Sequence, residues 1–432
     1  RQRNYGGRDV SVTEYTMSEI IASVYDCMRT TGKTQGILFL DEINCVSETL
    51  SPAMLLFLQY KVFGGHQIPE GWVVVTAGNP PRFNKSVREF DAATRDRLKV
   101  IEVEPSYEAW KAYALEHGVS RSVISYLDIR PEDFYKVETT VDGLTVVTPR
   151  AWEDLSEILQ YHEELGLAVS EELTTQYLQN KQVARDFAIY YELYQKYRQA
   201  YNIDAILQGV WDEDVLTQAR SAKMDERMSL VSLLLAGLDT RFTASLQADA
   251  VADACYAFLR ETKKALATLP EDIPDGSAEL FSQQIKDYEA ETQQKRDAGL
   301  LGKAELTNRL QVQAALHQWE GELHRANAAG TQEAFDLLRG QFRALADQRE
   351  AAQKTAAAAL EAAFDFMEQA FAESQEMVVF VTELTVNPAS HQFLTENGCE
   401  RYFKYNKDLL LDHRKAALQQ ELAAEQRRHG GV

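Results

Sequence analysis

The sequence predicts an α/β core built on a parallel sheet, followed by a helical lid and a long, mostly helical extension. Three observations lead there. Ile37-Leu38-Phe39-Leu40 is an unbroken apolar run, entered from Gly32 and Gly36 and ended by Asp41-Glu42, which reads as a strand buried on both faces of a parallel sheet. Trp72-Val73-Val74-Val75-Thr76-Ala77 repeats the pattern and ends in Gly78-Asn79-Pro80-Pro81. Proline is absent between Pro149 and Pro270 and again between Pro274 and Pro388, which opens two long helical territories.

The 432 residues, 45% hydrophobic and 26% charged, suffice for two or three domains with cores of their own. The expected divisions are an α/β core at residues 1–104, a helical lid at 105–210, a helical extension at 211–376 and a small terminal segment at 377–432. A formal net charge of −21 disfavours binding to nucleic acid or anionic membranes, leaving proteins or a basic surface as partners. The richest apolar stretch, Leu230 to Leu238, is half the roughly 18 residues of a spanning helix. A soluble, cytoplasmic chain without membrane insertion is expected. Cys27, Cys45, Cys255 and Cys399 are scattered with no CxxC, and the eight His form no HExxH, so neither a disulfide frame nor a zinc site is indicated.

Taken in order, residues 1 to 12 read as loop and short strand around a Gly6-Gly7 turn. Thr16 or Ser18 caps a helix carrying Ile20, Ile21, Val24 and Met28 at helical spacing. After the first apolar strand, Ser51-Pro52 opens a helix with Met54, Leu55, Phe57 and Leu58, and a turn-rich connection leads to the strand at Trp72. Asp91 to Leu98 reads as a short helix entering a third strand, Val100-Ile101-Glu102-Val103. Beyond Pro105 the pattern turns helical, with Trp110, Tyr113, Ala114 and Leu115 on one face, then a polar hairpin from Tyr135 to Val147. Thr148-Pro149-Arg150 supplies a cap, a first-turn Pro and a cation facing the positive end of its own helix. Tyr177, Phe187, Tyr190, Tyr191, Tyr194 and Tyr201 form aromatic stripes suited to helix packing. Residues 268–277 read as a linker, and 278–375 as long antiparallel helices or a coiled-coil hairpin. Met377 to Val386 alternates weakly and reads as a strand, and the chain ends in helical segments and a basic tail.

The chemistry gathers at the carboxyl ends of the first two strands, where ligands sit in open α/β sheets. An Asp in the position of Asp41 holds Mg²⁺ in P-loop NTPases, and the next carboxylate, Glu42, is placed to polarise a water. Alternatively the pair only ends a strand. Asn79 either positions that water or starts an Asn-Pro turn. Arg95 and Arg97 are surface ion-pairing groups or a finger reaching a neighbouring subunit's nucleotide. Gly32-Lys33-Thr34 mimics a phosphate loop, but Cys27 occupies the position of the required Gly, and a helix precedes where a strand is needed.

LFLDEIN, the strand ending in TAGNPP, FDAATRDRL and VTPRAWEDL, in this order and at these separations, resemble the MoxR branch of the AAA+ ATPases over roughly residues 10 to 205. The resemblance implies Asp41 as the Walker-B magnesium residue, Glu42 as general base, Asn79 as first sensor, Arg97 or else Arg95 as arginine finger, and Arg150 as second sensor on the lid. It implies ATP and Mg²⁺ as cofactors and a homo-oligomeric, often hexameric, ring. Such rings remodel, mature or load metal onto a protein partner, commonly one with a von Willebrand A domain. The Walker-A loop of the family is absent here; truncation at the N-terminus is the expected reason, and ATP binding by these residues alone is expected to be poor. A different class of reading is a non-hydrolysing scaffold that displays its helical arm.

Overall fold

The computed structural model describes residues 2–5, 8–11, 17–47, 49–63, 65–80, 95–96, 98–140, 143–268, 276–326, 331–372, 374–407 and 409. They are mostly helical, with a small parallel two-stranded sheet and short antiparallel hairpins. The chain divides into two compact units, residues 1–104 with 289–306, and 105–288 with 307–432.

In the first unit, β1 (Gln2–Tyr5) and β2 (Arg8–Ser11) form an antiparallel hairpin. Helix α1 (Glu19–Thr31) starts at Ser18, whose Oγ accepts from the Ile20 amide at 3.3 Å. Strand β3 (Gly36–Leu40) pairs in parallel with β6 (Trp72–Thr76), Gly36 opposite Trp72 and Leu40 opposite Thr76. Parallel strands need a crossover; α2 (Ser51–Tyr60) and the small hairpin β4 (Val62–Phe63) with β5 (His66–Gln67) provide it. Ile21 and Val24 of α1, Phe57 of α2, Ile68 and Trp72 pack on one face of the sheet. A Cβ on Gly36 would lie 2.7 Å from the Trp72 ring, so only glycine lets the indole cover that strand end.

The opposite face departs from the expected two-sided burial. Ile37 is 66% exposed and Phe39 58%, and Val73 and Val75 beside them are also exposed. β3 therefore alternates along its length instead of being buried throughout. The third expected strand does not form either. Residues 100–103 are irregular, and Ile101 and Val103 are 83% and 90% exposed; among the described residues no strand offers them a ladder. Of the short helix expected at Asp91 to Leu98, residues 91–94 and 97 lie outside the described residues.

The second unit opens with α3 (Tyr107–Glu116) and α4 (Arg121–Ile129), followed by the hairpin β7 (Lys136–Thr140) and β8 (Gly143–Val147) in the expected place. Trp110, Ala114 and Leu115 are buried as one face, whereas Tyr113 is exposed and stacks on His117. Helix α5 (Pro149–Leu165) begins at Thr148, whose Oγ1 accepts from the Ala151 amide at 3.2 Å. With α6 (Glu171–Tyr177) and α7 (Lys181–Tyr201), these elements enclose Trp152, Tyr126, Phe134, Phe187 and Tyr191. Trp152 is fully buried, meets the Phe187 ring edge-on at 5.4 Å, and donates from Nε1 to the Asp133 carbonyl at 3.2 Å.

A second core lies among the helices that follow: α8 (Ile203–Ile206), α9 (Glu213–Ser221), α10 (Met224–Leu266), α13 (Thr331–Phe371), α14 (Gln375–Val386) and α15 (Pro388–Asn397). Met377 to Val386, expected as a strand, is the helix α14. Met377, Phe380, Val381 and Leu384 are buried at helical spacing, and this packing overrides the β-branched composition. A third core joins the far parts of α10 and α13 to α11 (Gly276–Asp297) and α12 (Lys303–Ala326) through Cys255, Phe281, Leu316 and Trp319. The expected linker at 268–277 lies largely outside the described residues. Among the described residues no helix is long and apolar enough to cross a membrane.

Two outcomes test this packing. Trp152→Ala removes a fully buried indole and its hydrogen bond, and should cost the second unit about 3–5 kcal/mol in urea unfolding followed by circular dichroism. Burial pushes the Cys255 thiol up to about 12, so at mildly alkaline pH it holds almost no thiolate. Iodoacetamide should therefore modify the exposed Cys27 and spare Cys255 until the chain unfolds, as read by peptide mass spectrometry.

Candidate functional site

The parallel register of β3 and β6 brings the loops that follow them to the same sheet edge. Pairing runs on past the strands: the Ala77 amide donates to the Leu40 carbonyl at 3.0 Å, and the Ile43 amide donates to the Ala77 carbonyl at 3.0 Å. Asp41 and Glu42 are thereby held beside the loop that carries Asn79, and all three are exposed.

Two features shape this edge. Glu42 sits in the left-handed region at φ 50° and ψ 37°, where a non-glycine side chain crowds its own carbonyl. Asp41 compensates through Oδ1, which accepts from the Glu42 amide at 2.8 Å. The resulting sharp turn starts a short 3₁₀ helix over Ile43–Cys45 and keeps the two adjacent carboxylates from continuing the strand's alternation. The second feature is Asn44, to which sequence reasoning gave no role. Its Nδ2 donates to the Asn79 carbonyl at 2.8 Å, binding the two loops together. A Cβ on Gly78 would fall 2.4 Å from Asn44 Oδ1, so the glycine admits the amide. That Oδ1 is buried and has no hydrogen-bond partner. The signal in the sequence was the pairing of an Asn two positions after Glu42 with a Gly-Asn at the end of the second strand.

Arg95 is exposed in the first unit, and Arg97 lies outside the described residues. Arg150 is exposed in the first turn of α5, in the second unit. Lys33 follows Gly32, which ends α1 in the left-handed conformation with its amide on the Met28 carbonyl at 2.9 Å; the Gly-Lys-Thr run is a helix terminus, as its context indicated.

No family model, no curated protein and no solved structure matches this chain. Function therefore has to be argued from the edge itself. Among the described residues no three His, Cys, Asp or Glu side chains converge as a metal cage. Two exposed carboxylates beside an amide loop instead fit a hard, hydrated cation that keeps most of its waters or takes its other ligands from a phosphate. They also fit a base that draws a proton from water.

The strained turn yields a direct test. Glu42→Gly should stabilise the first unit by about 1 kcal/mol, because glycine adopts the left-handed conformation freely, whereas Glu42→Ala should not. Guanidinium unfolding of the two variants side by side separates the outcomes.

Proposed function

We propose that this chain is the body of a MoxR-type AAA+ ATPase that couples ATP binding and hydrolysis to remodelling, maturation or metal loading of a protein partner. In this reading a phosphate-binding loop from outside residues 1–432 completes the site. The supporting observation is the in-register parallel pair that sets Asp41 and Glu42 beside the Asn79 loop, cross-tied by Asn44. The exposed apolar face of β3 and β6, with the exposed Val100, Ile101 and Val103, favours the same reading, since parallel sheets are ordinarily covered on both faces.

Asp41 would hold Mg²⁺, which neutralises phosphate charge when bound. Glu42 takes a proton from the attacking water, and the Asn79 amide orients that water. Arg150, with Arg97 or Arg95 of a neighbour in a hexameric ring, offsets the charge that builds on the transferring phosphoryl group. The partner class is a cytoplasmic protein, of which one bearing a von Willebrand A domain is the type the sequence resemblance suggests.

The non-hydrolysing scaffold is the second reading. It is favoured by the dominance of long helices, α10 of 43 residues and α13 of 41. Phosphate release by the chain translated together with whatever coding sequence precedes Arg1 decides between the two. Glu42→Gln should lower turnover by about 10²–10⁴-fold while ATP still binds, as expected when a general base is removed. Unchanged turnover in that variant rejects Glu42 as base, and neither nucleotide binding nor turnover in the extended chain selects the scaffold.

A further inference from the structure

The second unit holds two neighbouring apolar cores that are joined by charge. One core is built from α3 to α7 and includes Trp110, Trp152 and Phe187; the other is built from α7 onward and includes Tyr201, Phe242 and Phe380. Tyr190 of α7 packs against both, and its hydroxyl donates to Ser125 Oγ at 2.7 Å.

Beside that aromatic bridge acidic and basic side chains face each other. Lys111 of α3 places Nζ 2.7 Å from Asp128 Oδ1 of α4 and 2.5 Å from Glu383 Oε1 of α14. Arg121 of α4 lies 3.5 Å from Asp239 of α10 and 4.0 Å from Glu383. Tyr107 donates to Asp128 at 2.7 Å, and Asn387, the cap of α15, donates to Asp239 at 2.8 Å. The side chains of Lys111, Arg121 and Glu383 are only 12–13% exposed, so this is an internal seam rather than a surface ornament.

We propose that the seam is a charge latch. Helices α3 and α4 are held on α10 and α14 by paired charges instead of a shared apolar core, and they part from those helices when the pairs break. The physical reason lies in what opening exposes. An apolar seam loses its whole contact energy on parting, whereas paired charges exchange each other for water, so the latch opens well before either core unfolds. Sub-global opening of this kind is how polar interfaces within a chain give relative motion. The inference involves no nucleotide and stands apart from the ATPase proposal.

Distances between spin labels on the full 432-residue chain test it. Labels go on Glu157→Cys of α5 and Gln392→Cys of α15, both exposed, in a Cys27→Ser, Cys45→Ser background; Cys255 and Cys399 are buried and stay. The parent should give one narrow distance distribution. Lys111→Met with Glu383→Gln should raise the weight of a longer, broader population about tenfold or more, the effect of losing roughly 1.4 kcal/mol of pairing. Lys196→Met, which breaks only an exposed pair with Glu192, should leave the distribution unchanged. An unaltered narrow distribution in a latch variant of undiminished helical content overturns the proposal. Should that variant lose its helical signal, Asp239→Asn, which removes the charge facing Arg121, is measured instead, where broadening supports the latch and constancy overturns it.

Discussion

The in-register pairing of β3 with β6 is the constraint on which the candidate site depends. Two parallel strands deliver their following loops to the same edge, so a carboxylate pair ending one and an amide loop ending the other become neighbours without any further instruction. A slip of one residue would turn Leu38, Leu40 and Val74 away from α1 and α2 and expose them. The Trp72 indole blocks that slip, because it needs the missing Cβ of Gly36 opposite it. The cross-tie from Asn44 to Asn79 then fixes the loops themselves, at a point where the strands have already ended.

That edge carries two local costs: the left-handed backbone of Glu42, and a buried amide oxygen on Asn44 without a partner. Sequences optimised only for stability would place glycine at the first and an apolar residue at the second. Both oddities fall within three residues of each other, next to the loop that Asn44 bridges, and strain concentrated in this way is characteristic of sites rather than of scaffolding.

What was legible in the sequence follows from how local each signal is. Ser18 and Thr148 were readable as caps because a side-chain oxygen bonding an amide two or three residues on needs nothing from the rest of the chain. The strand at Trp72 was readable from its β-branched run. The error at Met377–Val386 shows the limit of composition: Met377, Phe380, Val381 and Leu384 already stood at helical spacing between Ser374 and the capping Asn387, but the β-branched residues masked the period. The failure at Val100–Val103 is of another kind. A strand is defined by a partner, and an apolar run in one segment cannot reveal that no described strand offers it a ladder. At the site, Asp41, Glu42 and Asn79 were legible as residue types at strand ends, while the role of Asn44 required knowing which two loops would meet.

The helical body follows a different logic from the sheet. Along α10 the chain passes from the core of Leu230, Leu234 and Phe242 to that of Val251, Cys255 and Leu259, with Arg349 of α13 paired to Asp249 close to the change. A 43-residue helix spans about 65 Å, too far for one compact core to cover, so successive cores are strung along it. Helices transmit force along such a length because their hydrogen bonds are internal, and what happens between cores is decided by the side chains at each junction. Where the junction is apolar the cores move together. Where it is charged, as between α3–α4 and α10–α14, the same rigid helices become a lever with a joint.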